Sequence, residues 1–426
     1  MTATRIPPPC PGSPCPGSPC PGRARPARPW RAACVLLATV AAAGLAAGCG
    51  QAAPAGPAAS VGTVIPAVAA GDFGTSFSAL RRLRGLAALG SGKIGVLLPD
   101  TTTSPRYTEF DAPYLARALQ TAGLDRSQFI ITNAQGSDAT EQAQAESDMT
   151  QGATVLLLDP IDSGVGASIE SAATAAGVKV VDYDRMTLGG ARAYYVSFDN
   201  VAVGALMARG LVSCIRAWHV RKPDVLVMRG APTDNNATLF ARGYDSVLMP
   251  WFRSRRYAFA GQPPGTWDPT TAQTTFEEQY TADSKITAVL TPNDEVASAV
   301  ISYLKTLDTP PRTFPATGQD ATPAGLQNIL AGYQCGTVYK PIYEEAQAAV
   351  ALILYLRAGI IPPRTLVNAR TYDPVTRTQV PSVLLKPVWV TARTMASTVI
   401  RDGFVPVAQL CAGTLRAACR QAGIRD

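Results

Sequence analysis

Residues 93–100 read KIGVLLPD, followed by FIITN at 129–133, TVLLLD at 154–159, VKVVDYD at 178–184 and YYVSFD at 194–199. These are short apolar runs, rich in β-branched residues, and stretches of helix length, about 10 to 15 residues, separate them. Runs without a polar face indicate strands buried on both sides, as in a parallel sheet covered by helices. The pattern resumes with DVLVMRG at 224–230, YAFAG at 257–261, ITAVLTP at 286–292, FPATGQD at 314–320 and GTVYK at 336–340. Ten such strands are too many for one comfortable doubly wound sheet. The expected fold is α/β, with two doubly wound parallel-sheet lobes.

In open α/β sheets ligands bind beyond the carboxyl ends of the strands. Here those ends are polar. Arg106 and Tyr107 follow the first run, Asp184 and Arg185 the fourth, and Asp234, Asn235 and Asn236 the sixth. Further along stand Trp267, Asn293 with Asp294, Gln319 with Asp320, and Lys340. A cleft lined by Arg, Asp, Asn and Lys with one or two aromatic rings suits a polyhydroxylated ligand, whose hydroxyls need both donors and acceptors. The plainer alternatives are surface ion pairs for the arginines, helix caps or turns for Asp234, Asn236 and Asp320, and core packing for Trp267. Asn235 and Gln319 are read as structural.

The formal charge of the 426-residue chain is +7. Five arginines and no acid fall in residues 1–48, which leaves 33 basic against 31 acidic residues in the remainder. The body therefore carries no basic excess that would argue for nucleic acid. Residues 32–48, AACVLLATVAAAGLAAG, form an apolar stretch behind those arginines and fit an export signal better than a membrane span. Ala46-Ala47-Gly48 before Cys49 resembles a bacterial lipobox with Ala46 in place of the usual Leu, so Cys49 is expected to carry a lipid anchor. An ordinary cleaved signal is the alternative. The leader PPPCPGSPCPGSPCPG has no metal-ligand pattern and reads as low complexity. Residues 50–91 read as a flexible tether whose later part, SFSALRRLRGLAAL, suits a helix. Four cysteines remain beyond Cys49: Cys411 and Cys419 could staple the C-terminal tail, leaving Cys214 with Cys335.

At the same strand-end residues the chain resembles the type I periplasmic binding proteins of ABC sugar importers, in their D-xylose-binding branch. The stretches that carry the likeness are VKVVDYDRMTLGG, YYVSFDN, GAPTDNNATLFARGYDSVL, ATGQDATPAGLQNILAG, TVYKPI, VPSVLLKPVWVT and TVIRDGF, within residues 92–408. The resemblance implies a sugar held by Arg106, Arg185, Asp234, Asn236, Asn293, Asp320 and Lys340 and stacked on Tyr107 and Trp267, with Asp184 beside Arg185. Tyr107 stands where the branch usually has tryptophan, which leaves glucose or another pentose as alternatives to D-xylose.

The resemblance further implies a monomer that closes about a three-segment hinge near Asp199, Cys335 and Thr371, without cofactor or metal, and delivers sugar to an ABC permease and its ATPase. Sensing through a chemotaxis or two-component receptor is the alternative role. The lobes are expected at 92–199 with 338–371 and at 200–337 with 372–426. A glycosidase would need a carboxylate pair, which Asp184, Asp234 and Asp320 offer. There is no Gly-x-Ser-x-Gly elbow and no histidine-based triad, His219 being the only histidine, so a binding protein rather than an enzyme is expected.

Overall fold

The computed structural model describes residues 66–425. The expected export signal, Cys49 with its expected lipid anchor and the first part of the expected tether lie outside the described residues. In chain order the strands are β1 Lys93–Leu98, β2 Phe129–Asn133, β3 Ala153–Leu158, β4 Lys179–Tyr183, β5 Tyr194–Phe198, β6 Asp224–Val227, β7 Ala258–Gly261, β8 Ala288–Leu290, β9 Thr337–Tyr339, β10 Ala369–Asp373, β11 Thr378–Leu385 and β12 Val388–Val390.

The first lobe is built on the sheet β10-β11-β5-β4-β3-β1-β2. Its pairs are parallel except the outer hairpin β10–β11. β1 lies between β2 and β3, with Ile94 opposite Phe129 on one side and Val155 on the other. Its residues Ile94 to Leu98 are buried, as helices on both faces require. The helix Ile342–Arg357 packs across this sheet and is buried along nearly its whole length, which is why its sequence, IYEEAQAAVALILYLR, is apolar almost all round.

The second lobe carries the parallel sheet β7-β6-β8. Single parallel bridges, Val289 to Ala316 and Gln319 to Val338, extend it through residues 314–320 to β9, which pairs antiparallel with β12. The sequence predicts a strand at 314–320. The chain there stays irregular because Pro315 has no N–H, because the Asp294 carboxylate occupies the space that a Cβ at Gly318 would fill, and because Asp320 and Ala321 take positive φ of 93° and 54°.

Two domain boundaries differ from expectation. Residues 66–91 are not a loose tether: Val68, Phe73, Phe77, Leu80, Leu83 and Leu86 are buried in the first-lobe core. Arg357 donates to the carbonyls of Ala87, Ser91 and Gly92 and ties the segment to the long helix. Its expected helical part forms two short helices, Ser78–Arg81 and Arg84–Leu89. Residues 372–385 belong with the first lobe, because β11 pairs with β5, Ser382 opposite Tyr195. The chain thus crosses between lobes after Phe198, at Lys340–Pro341 between β9 and the long helix, and at Lys386–Pro387 between β11 and β12. The third crossing follows Leu385 rather than Thr371. The second lies a few residues past Cys335, so Lys340 stands on the hinge.

Both cysteine pairs are disulfides. Cys214–Cys335, with Cα atoms 6.0 Å apart, ties the helix Asn200–Ala217 to the residue two places before β9, and Cys411–Cys419, 5.9 Å apart, closes the tail.

Candidate functional site

The carboxyl ends of the strands of both lobes converge on a small cavity. Arg106, Tyr107, Asp184, Arg185, Asp234, Asn236, Trp267, Asn293, Asp320 and Lys340 all line it, together with Thr103, Ser104, Phe240 and Gln319. The lobes are closed on each other around it. Asn293 Nδ2 donates to the Thr103 carbonyl at 3.2 Å, Ser104 Oγ to Asp320 at 3.4 Å, and Asn236 Nδ2 to the Asp184 carbonyl at 3.1 Å. Closure leaves Arg106, Asp184, Asp234, Asn293, Asp320 and Lys340 each under 5% exposed.

Local backbone chemistry sets each group. After β1, the Asp100 carboxylate accepts the N–H groups of Thr102 and Thr103 at 2.9 and 2.8 Å and turns the chain. Arg106 then opens the π-helical turn Tyr107–Asp111, a wider winding than the α-helix that follows it. Asp184 sits past β4 with φ of 53°, a left-handed conformation that Asp tolerates better than most residues. Its carbonyl is pinned by Ser197 Oγ at 2.8 Å, Tyr195 OH at 3.0 Å and Asn236.

The charged groups interlock. Asp184 Oδ1 accepts Arg106 Nη1 at 2.9 Å and Lys340 Nζ at 3.4 Å, while Tyr107 OH donates to Oδ2 at 3.3 Å. Burial by itself would raise the Asp184 carboxyl; Arg106, Lys340 and Arg185 overcome it and hold the group well below the usual carboxylate range. Lys340 also reaches Asp320 at 3.1 Å. Burial and then Arg106 oppose its charge, yet Asp184 and Asp320 keep it above the ordinary lysine range. Arg185 Nε lies 3.3 Å from Asp234 and 3.8 Å from Asp159. Asp234 is raised by burial, against the pull of Arg185.

Two cavity residues are also helix caps: Asp234, for which a cap was the plainer alternative, and Asn293, for which none was expected. Asp234 Oδ1 caps the helix Asn235–Arg253 while Oδ2 accepts Trp267 Nε1 at 3.1 Å. Asn293 caps the helix Asp294–Thr306. A short side chain that ends a strand and starts a helix is placed at the strand's carboxyl end by the same geometry that makes it a cap. Asp320 is not a cap; Thr322 takes that place. Asn236 has both ends of its amide engaged by protein, its Oδ1 accepting Asn200 Nδ2 at 2.8 Å.

The two aromatic residues sit in different surroundings. The Tyr107 ring has the guanidinium carbons of Arg106 and Arg185 at 5.2 and 5.5 Å from its centroid. Trp267 is only half-buried and lies against Gly230, where a Cβ would fall inside the indole, and edge-on to Phe240 at 6.4 Å.

Sequence reasoning missed the layer beneath. Asp111 takes the Arg106 guanidinium as a fork at 2.7 and 2.9 Å and accepts Tyr183 OH at 2.6 Å. Glu345 accepts Arg106 Nη2 at 3.0 Å, and Asp159 is buried behind Arg185. Asp111 and Glu345 each come five residues after a cavity residue, Arg106 and Lys340, the first directly before the amphipathic helix Ala112–Thr121 and the second in the first turn of the buried helix Ile342–Arg357. An acid on such an apolar face was the signal available. Gln319, read as structural, also lines the cavity. Among the described residues no cluster of His, Cys, Asp and Glu is arranged to hold a metal ion.

Two parallel α/β lobes, joined by three crossings and closed over a small cavity of mixed charge, define a two-lobed solute-binding protein. The family model for the periplasmic binding protein domain matches residues 94–360. The chain is 35% identical over 278 residues to the D-xylose-binding periplasmic protein of Escherichia coli, covering 65% of this chain and 81% of that one. It is 30% identical to a multiple sugar-binding periplasmic receptor of Rhizobium radiobacter, covering 76% and 93%. A carbohydrate transporter solute-binding protein from Chloroflexus aurantiacus, solved with D-glucose, superposes with a TM-score of 0.66 at 29% identity, covering 74% and 97%. The chain belongs to the periplasmic binding protein family, among the type I sugar-binding proteins of ABC import and in their D-xylose-binding branch. It is thus an extracytoplasmic solute-binding protein, and its relatives are not enzymes.

Proposed function

We propose that this protein binds one monosaccharide, D-xylose first among the candidates, and presents it in the closed state to an ABC permease with its ATPase. The observation that carries the reading is the cavity, in which donors and acceptors from both lobes converge beside an indole. In this reading Arg106, Arg185, Lys340 and Asn293 donate to sugar hydroxyls, and Asp184, Asp234 and Asp320 accept. Trp267 stacks on the C–H face. Tyr107, flanked by two guanidiniums and bonded to Asp184, stiffens the wall more than it stacks. Asn236, bonded to Asn200 and Asp184, serves as a ligand contact through what its amide has left and as an inter-lobe tie.

Hydrogen bonds to charged groups contribute about 1.5 to 3 kcal/mol each, so an epimer that leaves one such group unpaired in the closed cavity loses about ten- to a hundredfold in affinity. Two relatives named for D-xylose favour the pentose. The tyrosine at 107 and the relatives named for multiple sugars keep glucose as the second candidate. Delivery by a monomer tethered to the membrane through a lipid on Cys49 completes the proposal.

Isothermal titration of residues 50–426 with D-xylose, L-arabinose, D-ribose, D-glucose and D-galactose tests it. Tight one-to-one binding of xylose with the sugar recovered intact is expected. Preference for glucose would keep the class and move the ligand; no binding, or turnover of the sugar, would sink the proposal.

A further inference from the structure

The hydrogen-bond count at Arg106 leads beyond the residues that line the cavity. A guanidinium has five N–H groups in one plane. Nε and one N–H of Nη2 fork onto Asp111, the second N–H of Nη2 goes to Glu345 Oε2 at 3.0 Å, and one N–H of Nη1 goes to Asp184. A single N–H of Nη1 remains without a hydrogen bond among the described residues, and the Asp320 carboxylate lies across the cavity from that nitrogen at 4.0 Å, beyond hydrogen-bond reach. Arg106 is 1% exposed and Glu345 wholly buried.

Glu345 is out of place by packing alone. It lies on the helix Ile342–Arg357 among Ile342, Ala346, Ala348 and Ala349, all buried, where an apolar side chain would avoid the cost of desolvating a carboxyl. Its Oε1 has no hydrogen-bond partner among the described residues, so its one polar contact is with Arg106. The groups that face it are Arg106 and Asp111 from the turn after β1, Tyr183 and Asp184 at the end of β4, Tyr195 from β5 and Lys340 on the hinge. Burial first, and then the charge of Asp184, push its carboxyl well above the usual range, against Arg106.

We propose that Glu345 is a positioning residue for ligand binding: it takes the N–H of Arg106 that Asp111 leaves over, so that the guanidinium offers the ligand one donor from one fixed plane. The inference rests on the sugar-binding reading and refines it. Because Glu345 rides on the helix that follows the Lys340 crossing, it also fixes Arg106 relative to the hinge.

The test is titration calorimetry of the purified protein and of Glu345→Leu and Glu345→Gln, against D-xylose and the other sugars of the panel, repeated in an Arg106→Lys background. Glu345→Leu is expected to weaken the best-bound sugar about tenfold and to narrow its margin over the others, since a neighbouring N–H is left buried and unpaired. Glu345→Gln, whose amide oxygen accepts the same N–H, should recover most of that loss. In the Arg106→Lys background the Leu substitution should add less than about threefold, because the two residues act through one another. Should Glu345→Leu fail to fold, Glu345→Met takes its place in the cycle. Unchanged affinity and sugar ranking in Glu345→Leu would overturn the proposal, as would an equal loss with Gln or an equal loss in the Arg106→Lys background. A wild-type protein that binds no sugar would instead overturn the parent reading, and this one with it.

Discussion

Asp184 and Glu141 show how differently the protein treats two buried carboxylates. Asp184 has three cations beside it that hold its carboxyl well below the usual range, so the stability it contributes is present above its unfolded value and is lost as pH falls through the lower folded one. Glu141 is buried with one bond, from the Ile161 N–H at 3.2 Å, and its other oxygen has no partner among the described residues. Burial pushes it up to about 8. The folded state therefore holds its proton more tightly than the unfolded chain, and stability falls as pH rises from the unfolded value near 4.5 to about 8. Glu141→Gln should remove that slope, so that denaturant melts at pH 5 and pH 8 differ by less than in the wild type, by an amount on the order of a few kcal/mol. Equal slopes in both proteins would show that Glu141 is ionised when folded.

The second lobe's sheet is thin: β8 and β9 have three residues each and meet only through the irregular stretch 314–320. The Cys214–Cys335 disulfide spans this weak region and closes a chain separation of 121 residues. In the chain-entropy description a loop of that length contributes about 4 to 5 kcal/mol. The paired substitution Cys214→Ala with Cys335→Ala should lower stability by about 2 to 5 kcal/mol while the Cys411–Cys419 pair stays intact. Urea melts followed by circular dichroism read this directly, and a loss under about 1 kcal/mol would mean that helix packing alone holds the region. The tail beyond β12 packs on the helix Pro323–Ala331 and stacks Phe404 on Phe110 at 4.1 Å, which joins the second lobe to the turn that bears Arg106 and Tyr107.

For the molecule as a whole, the closed arrangement rests on the hydrogen bonds of Asn293, Ser104 and Asn236, the Arg185–Asp234 ion pair and the Phe404–Phe110 stack, beside a cavity of like and unlike charges. Without a ligand, charged groups facing a hydrated cleft are better solvated when the lobes part; a bound polyol replaces that solvation. Small-angle scattering should therefore show a smaller radius of gyration on adding the cognate sugar. Identical radii with and without a sugar that calorimetry shows to bind would sink hinge closure while leaving binding in place.

The sequence carried the α/β class, the two lobes and the ten polar residues at strand ends, because a parallel strand buried on both faces needs a continuous apolar run and must then turn through polar residues into a helix. It also offered both cysteine pairings, while the bonds themselves are seen only in the structure. What it did not carry came from contacts between segments far apart in the chain. The strap at 66–91 looks like a linker in composition, and only the apolar face of the long helix makes it part of the core. β10 and β11 are half polar, β11 carrying Pro381 in its middle, and they join the first sheet because β5 has an open edge there. Asp111 and Glu345 are ordinary helix acids until folding places both against Arg106, from positions 5 and 239 residues along the chain. Residue type and local period are written in the chain itself. Which buried charge meets which, and how many donors of an arginine are left for a ligand, are fixed only when the strands and helices close on one another.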